Sequence, residues 1–165
     1  MNAIRVRNLD HEPVAARTKR PAKLRAFRAL LVTILVILGI QGWFGDFVTV
    51  FVAPANGITP PALTPGSLLH ELQILPTPFF PVWHAFEGLA LVVLAVAAAI
   101  LSFTWTRSRG ARAWSVLGLI AVLSAALGGL LFVESGFAAG GSSMQMGGSF
   151  IGAFASYFLA FYYTK

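Results

Sequence analysis

The chain has 165 residues, 57% of them hydrophobic and only 11% charged, with a formal net charge of +6 and no cysteine. A composition this apolar excludes a water-soluble domain of the same length. The lack of cysteine excludes disulfides, thiolate metal sites, iron–sulfur ligation and covalently attached c-type haem.

Residues 1–28 mix charges, Pro13 and Pro21 with scattered apolar residues and read as a basic cytoplasmic tail. Residues 22–28 start the first helix early, with their arginines snorkelling toward headgroups. The first apolar stretch, residues 29–52, is too long for a signal peptide, and Asp46 interrupts what would be its uncharged core. Residues 53–81 form one long loop holding seven of the nine prolines. Within it, residues 64–75 read as a short surface helix, capped by Thr64 with Pro65 in the first turn. Leu68, Leu69, Leu72 and Leu75 would share its apolar face. Further apolar stretches follow at 82–105, 113–134 and 143–163. Each of the four has about 20–24 residues, enough at 1.5 Å rise to cross a hydrocarbon core of about 30 Å.

The basic residues orient this pattern. Of the 12 Lys and Arg, eight lie in the tail, three (Arg107, Arg109, Arg112) in the loop between the second and third stretches, and Lys165 ends the chain. The other two loops carry none, so the positive-inside rule predicts four spans with both termini cytoplasmic. Trp43 and Trp83 fall toward the outer interface, and Trp105, Trp114, Tyr162 and Tyr163 toward the inner one. The juxtamembrane charge points to anionic lipid headgroups, not nucleic acid. The expected fold is all-α: a transmembrane four-helix bundle in the plasma membrane of a prokaryote, with a Pro-rich outer loop. Small residues predict the packing seams. They are Gly39, Gly42 and Gly45 in the first span, Gly118, Ser124, Gly128 and Gly129 in the third, and Gly148, Gly152, Ser156 and Ala160 in the fourth.

Ionisable groups inside hydrocarbon are costly and tend to be paired or functional. Asp46 and Glu87 lie about 8–9 Å below the outer ends of their helices. Gly39, Gly42, Asp46 and Thr49 share one stripe; His84, Glu87, Gly88, Leu91, Ala95, Ala98 and Ser102 share another. His84 and Glu87, three apart, are helical neighbours. Glu134 and His70 reach the same level, and Met144 and Met146 open the fourth span, with no Lys or Arg among them. Three readings follow. The groups hydrogen-bond to one another and set helix register; or they bind copper, zinc, iron or haem through His84, His70, Asp46, Glu87, Glu134, Met144 and Met146; or they handle quinone or protons. No second transmembrane histidine faces His84, which weighs against a b-type haem.

Gln41-Gly42-Trp43-Phe44-Gly45-Asp46, Trp83-His84-Ala85-Phe86-Glu87-Gly88, Gly128-Gly129 with Phe132, and Ser142-Ser143-Met144-Gln145-Met146 resemble segments of a loose group of small four-helix membrane proteins of archaea and bacteria. The likeness runs over residues 30–163 and implies four helices and an outer polar cluster. It implies no activity. No nucleophile–base pair, phosphate loop or nucleotide fingerprint occurs, so the sequence points away from an enzyme. It points to a non-catalytic accessory subunit of a larger membrane assembly of respiratory or oxidase type, partnered by lipid and by other subunits or copies of itself.

Overall fold

The computed structural model describes residues 21–47, 79–135 and 140–165. Helix α1 spans Ala22–Phe47, α2 Phe79–Trp105, α3 Arg109–Glu134 and α4 Gly140–Tyr162, and the described residues contain no strand. The expected surface helix at 64–75 lies outside them.

Local chemistry sets the ends. The carbonyl of Pro21 accepts from the amides of Leu24 and Arg25 at 3.0 and 3.2 Å, closing the first turn of α1. Pro81 falls in the first turn of α2, where a missing N–H costs no helical bond. Ser108 caps α3 from extended backbone (φ −73°, ψ 117°), its hydroxyl accepting from the Ala111 amide at 3.2 Å. This cap starts α3 four residues before the expected 113. Helices α1, α2 and α3 are long and apolar enough to cross a membrane. The fourth, with 23 residues, reaches about 34 Å, yet it opens with four glycines and three serines in its first ten residues, which lowers its hydropathy.

Helix α1 packs on α2 and α4, α2 on α3, and α3 on α4, the last pair sharing the most extensive contact. Helices α2 and α3 each bury a stripe rich in small or polar residues and turn most of their large apolar residues outward. On α2 the buried stripe is Leu91, Ala95, Ala98 and Ser102, while Leu89, Val93, Val96, Ile100 and Phe103 are exposed. On α3 Ala111, Ser115, Gly118 and Val122 are inside, with Ile120, Leu123 and Leu127 outside. Only α1 contributes bulky residues throughout: Phe27, Leu31, Ile34 and Leu38. In water this distribution would expose an apolar shell around a partly polar interior. In lipid it is the expected one, because helices there associate through close packing and hydrogen bonds.

Two glycines of α3 are among the points of close packing. A Cβ on Gly128 would sit 3.0 Å from the Met146 amide nitrogen and 3.1 Å from the Ser142 carbonyl oxygen. One on Gly118 would sit 2.7 Å from Cζ of Tyr157, whose ring is fully buried against it. Beside them Ser149 donates to Ser124 Oγ at 2.9 Å, and Gln145 reaches the same hydroxyl at 3.4 Å. The expected seam on α4 holds only in its lower part. Ser156 and Ala160 are buried and Gly152 faces the Ala121 methyl at 3.8 Å, but Gly148 has open space before it. The upper contact passes through Ser142, Met146 and Ser149, because the backbone approach at Gly128 fixes that register. On α1 the expected stripe divides. Gly42 meets the Phe150 ring of α4, Gly45 meets His84 of α2, and Gly39 meets nothing within 4 Å. A helix wedged between two neighbours presents two contact faces, and Gly39 lies on neither.

Candidate functional site

The helix contacts divide the molecule into two chemically distinct ends. At one, Arg28 Nη1 donates to the Thr164 carbonyl and hydroxyl at 3.2 and 3.0 Å, and its guanidinium lies 3.9 Å from the Phe161 ring centre. Arg112 donates through Nε and Nη2 to the Thr106 carbonyl at 3.2 and 2.7 Å. Lys165 stacks 3.9 Å over Tyr162. The two arginines satisfy carbonyls at the C-terminal ends of α4 and α2, and all three cations complement the helix dipoles. Lys23, Arg25, Arg107 and Arg109 lie at the same end. The carboxylates of Glu87 and Glu134 belong to the other.

That opposite end holds the candidate site, where the last turns of α1 meet the first turns of α2. His84, Glu87 and Gly88 lie on the α2 face continuous with the buried stripe, as their spacing predicts, and Gln41 of α1 lies against His84 and Gly88. Gln41 Nε2 donates to the His84 carbonyl at 3.0 Å and lies 3.4 Å from His84 Nε2. A Cβ on Gly88 would come within 3.3 Å of the same nitrogen, and one on Gly45 within 3.1 Å of His84 Cε1. The missing side chains at Gly45 and Gly88 are thus what let Gln41 and His84 interlock. Trp83 Nε1 donates to Glu87 Oε1 at 2.8 Å, one turn along α2.

The Gln41 amide orientation follows from this geometry. A backbone carbonyl only accepts, so the group facing His84 O is the NH₂. Its second hydrogen is then directed at His84 Nε2, which must accept. A neutral imidazole accepting there carries its proton on Nδ1. Three polar atoms of this corner are buried without a hydrogen-bond partner: Gln41 Oε1, His84 Nδ1 and Glu87 Oε2.

His84 and Glu87 hydrogen-bond to Gln41 and Trp83, not to each other as their spacing suggests. Glu134 ends α3, half-buried. Met144 is 80% exposed, and Met146 packs its sulfur toward Gly129. Asp46 lies in the last turn of α1; its side chain and all of His70 are outside the described residues. Among the described residues, no three His, Cys, Asp or Glu come together as a metal site. The sequence offers Gln41 and the tryptophans as potential donors to the carboxylates but assigns neither Gln41 nor Trp83 a partner. The available signal for Gln41 was an amide alone in an apolar helix, which in lipid seeks a partner on a neighbouring helix.

No known protein family, curated protein or solved structure matches the chain.

Proposed function

We propose that the chain is an integral membrane protein of a prokaryotic plasma membrane, with all four helices spanning as a bundle and both termini cytoplasmic, and that it serves as a non-catalytic accessory subunit of a larger membrane assembly. The cationic end, held by Arg28, Arg112 and Lys165, is the cytoplasmic one on this reading, since basic residues resist translocation. The Gly- and Ser-rich start of α4 crosses with Ser149 and Gln145 turned onto Ser124 of α3.

One observation carries the subunit reading. Between α1 and α4 an apolar groove of about 560 Å³ opens outward, lined by Gly39, Gly42, Trp43, Phe150, Ile151 and Ala155. Gly39 presents bare backbone within it. Such surfaces let a neighbouring transmembrane helix approach closely, which is how helices associate where lipid is as apolar as they are.

The test is Gly39→Leu, which fills open space and so leaves the monomer's packing intact. After mild detergent extraction of native membranes, the wild-type chain should migrate with partner subunits in a particle larger than one chain in its micelle. The variant should migrate as a single chain with an unchanged melting temperature. A wild-type chain that is already solitary would contradict the subunit reading.

A further inference from the structure

We infer that the corner formed by Gln41, His84 and Glu87 is a binding site for the hydroxyl head of a membrane-dissolved amphiphile. The inference rests on the reading that these helices cross a bilayer, and it adds a ligand to the subunit role.

The argument is an inventory of lone pairs and hydrogens. Both amide hydrogens of Gln41 are engaged, which leaves Oε1 as an open acceptor. His84 accepts through Nε2, so Nδ1 presents an N–H. Glu87 spends Oε1 on Trp83, leaving Oε2 as a second open acceptor. The three atoms belong to one turn of α2 and the single amide lying across it, and all three are buried and unpartnered. Leaving a buried polar group unsatisfied costs about 1–3 kcal/mol each, so three in one place mark a site whose partner is a ligand.

The donor set selects that ligand. A metal ion would meet a hydrogen at Nδ1 instead of a lone pair. An ammonium group could satisfy both acceptors but would face the imidazole N–H with another donor. A carbonyl, such as that of an oxidised quinone, could take the N–H but would set its lone pairs against two acceptors. A hydroxyl accepts from Nδ1 and donates its one hydrogen to either the Glu87 or the Gln41 oxygen, so of these groups it alone meets both the donor and an acceptor, and a neighbouring second hydroxyl would meet the other oxygen. The surroundings select the rest of the molecule. Trp83, 47% exposed and hydrogen-bonded to Glu87, stands beside the corner, an amphipathic ring suited to a lipophilic body reaching it from the side. The hydroxyl could belong to a phenol, as in a quinol, or to an alcohol, as in a glycerol headgroup.

Titration of the detergent-purified protein with decylubiquinol, decylubiquinone and a short-chain phosphatidylglycerol, read by tryptophan fluorescence, tests the proposal. Trp105 and Trp114 lie at the far end and give a constant background. At least one hydroxylated probe should saturate, the quinol identifying a phenolic source and phosphatidylglycerol an alcoholic one. Decylubiquinone should bind about tenfold more weakly than a saturating quinol, the equivalent of one hydrogen bond of about 1.4 kcal/mol. His84→Leu should weaken the saturating probe by about tenfold or more. Glu87→Gln, which keeps the shape and cannot unfold the corner by creating a cavity, should weaken it measurably. Linear, non-saturating signals with every probe would overturn the proposal. So would equal affinity for quinone and quinol without phosphatidylglycerol binding, or full affinity in both variants. Release of the protein from membranes by alkaline wash would instead overturn the membrane reading, so the two failures are separable.

Discussion

Gln41 grips His84 at two points, donating to its backbone carbonyl at 3.0 Å and facing its ring nitrogen at 3.4 Å, and thereby ties α1 to α2 where an amide would otherwise meet hydrocarbon. Gln41→Leu removes both contacts and should lower stability in detergent by about 1 kcal/mol, the usual size of an interhelical hydrogen bond in membranes. Gln41→Glu should cost more, because a carboxylate oxygen would face the His84 carbonyl. Thermal melts of the two variants decide it. Equal stability of the two would show that the amide does not donate to that carbonyl.

The closest backbone approach predicts the most sensitive glycine. At Gly128 a methyl group meets main-chain atoms of Ser142 and Met146, which cannot swing aside as a side chain does. Gly128→Ala should therefore destabilise by about 1–3 kcal/mol, the usual cost of overpacking, despite alanine's better helix propensity. Gly147→Ala, with nothing within 4 Å, should be neutral or stabilising. Comparable melting temperatures for the two variants would mean that α3 and α4 do not pack through Gly128.

Tyr157 separates shape from polarity. Its ring fills the hollow over Gly118, fully buried, while its hydroxyl has no partner. Tyr157→Phe removes the orphan and keeps the ring, so stability should stay constant or rise slightly. Tyr157→Ala should cost about 3–5 kcal/mol through the cavity it leaves. Loss of stability in the phenylalanine variant would reveal a partner for the hydroxyl.

Arg28 is the clearest lock at the basic end. Arg28→Ala strips the Thr164 carbonyl of its donor and Phe161 of its cation, and should cost about 1–2 kcal/mol. Arg28→Lys should recover part of this, since an ammonium cannot reproduce the span of a guanidinium. Hydrogen exchange at the last turn of α4 reads the effect locally, and unchanged protection in Arg28→Ala would remove this residue from the account.

The helices were legible because each is a long, mainly apolar run, and the α2 stripe because His84, Glu87, Gly88, Ala95, Ala98 and Ser102 recur at helical spacing on one face. The seams of α1 and α4 were only partly legible. Both helices have glycine on more than one side, and sequence spacing alone does not tell which side a neighbour occupies. Gly39 and Gly148 look like packing residues in the sequence, yet they face open space. Pairing across helices was less legible still. The neighbours His84 and Glu87 invite a bond to each other, but the register of α1 brings Gln41 to the histidine while Trp83 takes the carboxylate. Such a register depends on the His84 ring and the Gln41 amide seating against Gly45 and Gly88 of the opposite helix, which no local pattern encodes.

The central claim, that α4 crosses the bilayer along with the other three helices, is tested most directly by two cysteines in a chain that has none of its own. One replaces Gly140, exposed and with open space around it; the other is appended after Lys165. In intact cells a membrane-impermeant maleimide should label Gly140→Cys at once and the appended cysteine only after the cells are opened. Labelling of both positions in intact cells, or of neither, would contradict the four-span topology.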